Sequence, residues 1–237
     1  MQVRETRRLY LLIGFFSLCI TALLIYSSVD TSLSEEDKQY IGKFLSTVEE
    51  LPKSPTFQDE LDFIRSVQQS VLDLAPTSCG LPVGQEREPK DLYEAKAGWC
   101  YDRSRVIEKI LRSSGFEVRH ISLYSNKQES APALPLLSPN VSSHAVTEVL
   151  TKNGWLVVDS NEKFVSVDKG GKPISLKEIQ LSAEGRAVIE WETRPRASIY
   201  SCPFIFVYGL YSRHGQFYPP YNVIPDINDP ELFQHVF

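Results

Sequence analysis

Three short segments constrain the fold of this chain most strongly, because together they predict one helix and two neighbouring strands. Residues 98–114 have the spacing of an amphipathic helix, and Gly115 follows as a helix C-terminal cap. Residues 143–149 and 154–159 each have the composition of a strand and are separated by a short loop. A helix followed by such a strand pair predicts an α+β fold, in which the helix packs on an antiparallel sheet.

Each segment also carries one side chain that suits covalent catalysis. Cys100 lies near the start of the helix, His144 near the start of the first strand, and Asp159 at the end of the second strand. A thiol, an imidazole and a carboxylate in this arrangement act as nucleophile, general base and base-orienting group. At the N-terminal end of a helix, the dipole and the free backbone N–H groups favour a thiolate and can stabilise an oxyanion.

The register of the strand pair decides whether the imidazole and the carboxylate meet. If residues 151–154 form the hairpin loop, Val146 lies opposite Asp159 on the neighbouring strand. His144 is two residues from Val146, so it points to the same face and becomes a diagonal neighbour of Asp159 within side-chain reach. A tighter turn at residues 153–154 would keep the face but move Asp159 farther away. We therefore predict the wider loop.

The N-terminus has the pattern of a membrane anchor. Arg4, Arg7 and Arg8 precede an uncharged, mostly apolar run at residues 9–27, close to the roughly 20 residues that cross a bilayer, and an acidic cluster follows by position 37. This charge distribution predicts a single-pass membrane protein with a cytoplasmic N-terminus and a periplasmic or extracellular domain. The alternative is a cleaved signal peptide, whose apolar core would be shorter.

Composition excludes several classes of function. The chain has 237 residues, of which 42% are hydrophobic and 23% charged, and these values are ordinary for a folded domain. Its formal net charge of -5 disfavours a nucleic-acid partner, because phosphate binding requires a basic surface. The sequence has neither an EF-hand loop nor a paired Cys/His ligand motif. We expect no nucleic-acid partner, no metal and no cofactor.

Three cysteines follow the N-terminal segment, namely Cys79, Cys100 and Cys202. On the oxidising side of a membrane an odd number leaves at least one of them free or paired with another chain. A disulfide between Cys79 and Cys202 would leave Cys100 free to act as a nucleophile. A disulfide between Cys79 and Cys100 would block it, and the sequence does not choose between the two.

The residues around the three catalytic candidates also resemble a known family. The Gly-Trp-Cys sequence ending at Cys100, the His-Ala-x-x-Glu-Val motif that starts at His144 and the Gly-Trp-x-x-Val-Asp motif that ends at Asp159 resemble the transglutaminase-like superfamily. The resemblance covers about residues 89–167. It implies a papain-like core, with Cys100 as nucleophile, His144 as base and Asp159 as orienting acid. The family includes amine-transferring cross-linkers, cysteine peptidases and amidases, glycan-removing hydrolases and inactive members.

The chain divides into four predicted parts. Residues 1–30 form the basic segment and transmembrane anchor, and residues 31–76 contain two helices that serve as a stalk or as leading helices. Residues 77–200 form the transglutaminase-like domain, which includes a proline-rich surface insert at 125–142. Residues 201–237 form an aromatic and proline-rich tail that we expect to pack on the domain, because so many aromatic side chains need burial. A tail that binds a sugar or a partner is the alternative.

Two hypotheses of function follow. The first is a membrane-anchored, extracytoplasmic cysteine acyl-transfer enzyme that acts on peptide or amide bonds of a peptide or protein substrate, with hydrolysis favoured over transamidation because water is abundant there. Its additional oxyanion donor would be the side chain of Gln85. The second is a non-catalytic envelope module on the same fold, with a cell-envelope polysaccharide or protein as its partner.

Overall fold

The computed structural model of the protein describes residues 2–76, 79–126, 134–218, 221 and 226–236, without the side chains at 2–11, 134 and 235–236. Three features of the sequence analysis fall outside the described residues. They are the side chains of Arg4, Arg7 and Arg8, the start of the predicted domain at Thr77, and residues 127–133 of the proline-rich insert.

The first half of the described chain is mostly helical, and the second half contains two short helices. The described residues form α1 (Gln2–Ser27), α2 (Glu35–Phe44), α3 (Phe57–Leu74), α4 (Pro89–Ala95), α5 (Cys100–Ser113), α6 (Leu176–Ala183) and α7 (Asp229–Val236), with 3-10 turns at Leu45–Thr47, Leu134–Leu136 and Ser198–Ser201. Ser34 and Thr56 cap the starts of α2 and α3, where each side chain accepts a hydrogen bond from a backbone N–H of the first turn.

A four-stranded antiparallel sheet forms the centre of the domain, in the order β3-β2-β1-β4. The strands are β1 (Glu117–Ser125), β2 (Ser143–Thr151), β3 (Gly154–Val158) and β4 (Phe204–Tyr208), and a separate two-stranded ribbon pairs β5 (Leu210–Tyr211) with β6 (Asp226–Ile227). The predicted α+β class with an antiparallel sheet is confirmed. The position of β4 differs from the prediction, because this edge strand of the sheet lies within the segment assigned to a tail.

The sheet is buried on both faces. Helices α3 and α5 cover one face, where alternate strand residues such as Leu156 and Val158 join the helix side chains in one apolar cluster. Val157, which points the other way, joins Val146 and Phe164 in a second cluster beneath α6 and the 198–201 turn. Two-sided burial fixes the register, since a slip of one residue would exchange the two faces.

The β2–β3 hairpin has the predicted register but a shorter loop. Leu150 pairs with Trp155 and Thr147 with Val158, so the next position along the hairpin sets Val146 opposite Asp159. The predicted four-residue loop is wrong, because Thr151 and Gly154 also pair and leave a two-residue turn at 152–153. The Thr151 hydroxyl donates a hydrogen bond to the Gly154 carbonyl oxygen at 2.6 Å, which closes this turn.

The described side chains of helix α1 contact the domain near the end of the helix. In its described part, every side chain from Leu12 to Tyr26 is exposed, and the burial of the chain begins at Ser27. The ring of Tyr26 stacks on His214, and Val29 is tied to β6 through a hydrogen bond to the Ile227 carbonyl oxygen. Among the described residues, no helix combines the length and the apolar character needed to span a membrane.

The packing of α5 on the sheet predicts a large stability effect at its centre. Ile107 is fully buried between α3 and the sheet, so Ile107→Ala should lower the free energy of unfolding by about 2–5 kcal/mol. Chemical denaturation of the full-length chain measures this change. Val188→Ala is the control, because Val188 is 94% exposed and its truncation should change stability by no more than about 0.5 kcal/mol. Equal effects of the two substitutions would contradict the assigned core.

Candidate active site

The thiol of Cys100 lies at the first position of α5. Trp99 precedes it in an extended conformation as the N-cap residue, and the Cys100 side chain is half-buried. All four cysteines are unpaired, with Cys19 and Cys79 exposed and Cys202 buried. Neither disulfide considered from the sequence is present, so Cys100 is a free thiol at a helix N-terminus.

A buried carboxylate fixes this end of α5. Asp102 is fully buried, and its Oδ2 accepts hydrogen bonds from the backbone N–H groups of Trp99, at 2.8 Å, and of Leu81, at 3.2 Å. The guanidinium of Arg87 pairs with the other carboxylate oxygen. Burial raises the pKa of Asp102, while the Arg87 charge and the two N–H bonds oppose the rise. The loop before the helix is therefore tied to its first turn, which holds Cys100 in place.

His144 and Asp159 form a direct pair. His144 is the second residue of β2, and Asp159 immediately follows β3, so the hairpin register brings them to the same end of the sheet. The His144 Nε2 atom lies 2.8 Å from Asp159 Oδ2. His144 is 5% exposed and Asp159 is fully buried, so little water screens the pair.

The carboxylate of Asp159 accepts hydrogen bonds on both oxygens. Oδ1 accepts from the backbone N–H groups of Asn161, at 2.6 Å, and Glu162, at 3.0 Å. Oδ2 accepts from the Tyr200 hydroxyl, at 2.6 Å, in addition to His144. Burial alone would raise the pKa of Asp159, but the His144 charge and these hydrogen bonds lower it below the usual value. Asp159 is therefore held as an anion.

His144 is correspondingly held as a cation. Burial alone would lower its pKa, but the Asp159 carboxylate raises the pKa of His144 to about 10, and a side-chain hydrogen bond with Cys100 contributes to the rise. Because Nε2 faces Asp159, Nδ1 is the ring nitrogen left for the Cys100 sulfur. The structure thus brings Cys100, His144 and Asp159 into one chain of contacts.

Gln85 borders a cavity whose lining includes none of these three residues. It is exposed in a loop whose turn is closed by a hydrogen bond from the Gln85 N–H to the Pro82 carbonyl oxygen, at 3.4 Å. This loop borders a cavity of about 530 Å³ whose lining also includes Asp30, Lys90 and Arg213 but none of the three candidates. That Gln85 supplies an oxyanion donor stays a prediction.

Two residues next to the candidate site, Arg103 and Tyr200, were not predicted from the sequence. The buried Arg103 guanidinium donates hydrogen bonds to the carbonyl oxygens of Ala75, at 3.0 Å, and Ser160, and to the side chain of Asn161. Burial lowers the pKa of Arg103, and the nearby carboxylates of Asp102 and Asp159 oppose this change. The only local signal was its spacing of one helical turn from Cys100. The second neighbour is Tyr200, which in the sequence is one of many aromatic residues and carries no separate signal of a role at the site.

An apolar wall borders the thiol on one side. Residues from the insert, from β4 and from the C-terminal segment pack with Cys100 around the buried rings of Tyr124 and Phe217. The partly buried members besides Cys100 are Tyr101, Leu136, Val141, Ile205, Val207, Leu210 and Tyr218. A substrate group that reaches the sulfur therefore meets aromatic and aliphatic side chains as well as the ion pair.

One family of known proteins matches part of the chain. Residues 56–160 match the family model of the transglutaminase-like superfamily, and this range contains Cys100, His144 and Asp159. This match covers less than half of the 237 residues. The match begins at α3, which the sequence analysis placed among the leading helices, and it ends before β4. No curated protein sequence gives a significant match.

A solved structure similar to part of the chain is the arylamine N-acetyltransferase (NAT) from Salmonella typhimurium. The superposition has a TM-score of 0.33 at 14% sequence identity, and it covers 54% of this chain and 45% of that enzyme. The chain thus matches less than half of the length of that enzyme.

The ion pair between His144 and Asp159 predicts how stability varies with pH. The pKa of His144 is about 10 in the folded protein and about 6.5 when unfolded, so its contribution is complete below pH 6.5 and is lost as the pH rises through 10. We expect the stability difference between the wild type and Asp159→Asn to shrink between pH 7 and pH 10. Denaturant titrations at several pH values measure this difference, and a constant difference across the window would contradict the charged pair.

Proposed function

We propose that the protein is a cysteine acyl-transfer enzyme in which Cys100 is the nucleophile, His144 the general acid and base, and Asp159 the orienting carboxylate. The observation that carries this proposal is the His144–Asp159 pair at 2.8 Å, with the second ring nitrogen left for the free thiol at the start of α5. A raised pKa of His144 favours a thiolate–imidazolium pair, which is the reactive form of such a site.

The reaction begins with attack of the Cys100 thiolate on the carbonyl carbon of an amide. The C–S bond forms, and the negative charge moves to the carbonyl oxygen, where the backbone N–H of Cys100 at the helix N-terminus is positioned to stabilise it. His144 then donates its Nδ1 proton to the departing nitrogen as the C–N bond breaks, which leaves a thioester on Cys100. Asp159 keeps the imidazole oriented throughout.

The second half of the reaction decides between hydrolysis and cross-linking. Neutral His144 accepts a proton from water as the water oxygen attacks the thioester, and the products are a carboxylic acid and the regenerated thiolate–imidazolium pair. A primary amine in place of water gives a new amide. Cys100 is half-buried rather than sealed, so water reaches the sulfur and hydrolysis of a peptide or amide is the proposed reaction.

A binding module without catalysis is the competing proposal, with a peptide or a polysaccharide as ligand. Its two supports would be a blocked Cys100 and a free aromatic surface on the C-terminal segment. Cys100 is unpaired, and most of the described aromatic rings of that segment are buried in the domain. The buried rings are those of Phe204, Phe206, Tyr208, Tyr211 and Phe217. These observations favour the enzyme.

Alkylation of the folded full-length protein tests activation of the thiol. At pH 6, iodoacetamide should modify Cys100 roughly tenfold or more faster than the exposed Cys79, which serves as an internal reference. His144→Ala should remove this advantage without changing the rate at Cys79. Peptide mass mapping over time gives both rates.

The matched control is His214→Ala. His214 contacts Asp226 in a second histidine–aspartate pair that does not include Cys100, so its removal should leave the rate at Cys100 unchanged. If Cys100 reacts no faster than Cys79, or equally fast in wild type and His144→Ala, the binding-module proposal gains instead.

Turnover in H₂¹⁸O tests the reaction type. Wild-type protein incubated with a mixture of amide-bearing peptides should release acids that carry ¹⁸O, and Cys100→Ala should release none. Addition of a primary amine such as methylamine distinguishes transamidation, since the product then contains the amine and no ¹⁸O. Amine products that dominate at low amine concentration would overturn the preference for hydrolysis.

We further propose that α1 anchors the domain to a membrane, with the domain on the extracytoplasmic side. The supports are the arginine-rich start, the uncharged run and the full exposure of apolar side chains from Leu12 to Tyr26. The full-length chain expressed in bacteria should stay with membranes after alkaline carbonate extraction, and Leu18→Arg with Ile20→Arg should release it. Intact mass shows whether the N-terminal segment is cleaved, and recovery of the uncleaved wild type in the soluble fraction would contradict the anchor.

A further inference from the structure

Tyr200 contacts the proposed site from a part of the chain beyond the family match. It lies in the Ser198–Ser201 turn, 40 positions after the end of the matched range at residue 160. Its hydroxyl donates a hydrogen bond to Asp159 Oδ2 at 2.6 Å, and the same oxygen accepts the bond from His144 Nε2 at 2.8 Å. One carboxylate oxygen is thus shared between the imidazole and a phenol.

The geometry around Asp159 gives this hydroxyl a specific task. Two backbone N–H groups hold Oδ1, so rotation of the carboxylate is already restricted at one oxygen. The Tyr200 hydroxyl restricts the other oxygen, which is the one that faces the imidazole. A carboxylate bound at both oxygens presents its lone pair to His144 in one direction only.

The Tyr200 ring also contacts the imidazole directly. The ring centroids of His144 and Tyr200 lie 6.3 Å apart at an interplanar angle of 81°, which is an edge-to-face contact. On its other side the Tyr200 ring packs on Phe164, with centroids 5.5 Å apart. Tyr200 is 6% exposed, so the hydroxyl and the ring are both held by buried contacts.

A second carboxylate fastens the turn that carries Tyr200. Glu162 accepts hydrogen bonds from the backbone N–H groups of Arg196, at 2.8 Å, and Ala197, at 3.0 Å. The backbone N–H of the same Glu162 donates to Asp159 Oδ1. The loop after β3 is therefore connected to the 196–201 segment twice, through Glu162 and through the Tyr200–Asp159 bond.

We propose that Tyr200 is a positioning residue that sets the orientation and ionisation of the Asp159–His144 pair, and that Glu162 holds the Tyr200 turn in place. The inference rests on the proposed function, because it assigns Tyr200 to the same site. Tyr200 takes no part in bond making or breaking. Its effect reaches the Cys100 sulfur through Asp159 and His144.

The inference has a pH signature. The burial of Tyr200 and the adjacent Asp159 charge raise the pKa of Tyr200 well above its usual value, so the phenol is a neutral donor at every working pH. Its bond lowers the pKa of Asp159, so its removal shifts protonation of that carboxylate to higher pH. The charged and titratable groups near Asp159 are Cys100 and Arg103 on α5, His144 on β2, Glu162 in the following loop and Tyr200 itself.

Tyr200→Phe tests the inference, because it removes the hydroxyl and keeps the ring. We expect alkylation of Cys100 by iodoacetamide at pH 6 to slow about tenfold and the acidic limb of its pH profile to move up by about one pH unit. The control is Tyr211→Phe, which removes a fully buried hydroxyl that contacts Glu108 and Glu231 instead. That variant should keep the wild-type profile even if it lowers stability, and a denaturation curve for each variant shows that both are folded.

Two variants of Glu162 test the support of the turn. Glu162→Ala should shift the acidic limb in the same direction as Tyr200→Phe, whereas Glu162→Gln keeps an oxygen acceptor for the N–H groups of Arg196 and Ala197 and should restore the wild-type profile. The positioning role alone is overturned if Tyr200→Phe and Glu162→Ala both keep the wild-type pH profile of Cys100 alkylation. In that outcome His144→Ala still removes the enhanced reactivity of Cys100. If Cys100 of the wild type shows no enhanced reactivity, the proposed function itself is overturned.

Discussion

The ion pair between the fully buried Asp159 carboxylate and His144 is the interaction on which the site and its surroundings depend. A buried charge is costly unless paired and fully hydrogen-bonded, because water no longer solvates it. Asp159 receives four donors, which come from β2, from the loop after β3 and from the 198–201 turn. The fold must bring these three segments together to stabilise the ion, and the same convergence aligns the imidazole.

The surrounding polar contacts serve the same loop. Gln68 on α3 donates its side-chain N–H groups to the carbonyl oxygens of Asp159, Glu162 and Phe164, at 2.7 to 3.0 Å. Arg103 on α5 binds Ser160 and Asn161 in the same loop. Both helices that cover one face of the sheet therefore hold the segment that carries Asp159. Apolar packing and these polar side chains together hold Cys100, His144 and Asp159 in their relative positions.

Local patterns in the sequence predicted the elements that carry the thiol and the imidazole. Helical periodicity and Gly115 placed the helix that carries Cys100 within a residue or two of Cys100–Ser113, and the assumed hairpin loop predicted the observed register, which sets Asp159 beside His144. These predictions succeeded because helices and hairpins are determined by neighbouring residues. The hairpin loop was predicted too long, since one further pair forms between Thr151 and Gly154.

Contacts between distant parts of the chain were not predictable in this way. Tyr200 reaches Asp159 across 41 residues, and β4 pairs with β1 although it lies in a segment that looked like a tail. Aromatic density indicated burial there, but it did not show which ring would meet the carboxylate. The oxyanion role of Gln85 stays a prediction, because a residue type suited to oxyanion binding does not show where its loop will lie. Pairings of this kind depend on tertiary packing, which one sequence does not display.

The charge state of His144 is the central claim, and ¹⁵N NMR of histidine-labelled protein measures it most directly. The account predicts that both ring nitrogens of His144 carry protons at pH 8 and that the ring titrates with a pKa near 10. In Asp159→Asn the titration should fall towards the ordinary histidine value of about 6.5. A wild-type His144 that is neutral at pH 8 would contradict the ion pair on which the proposed chemistry depends.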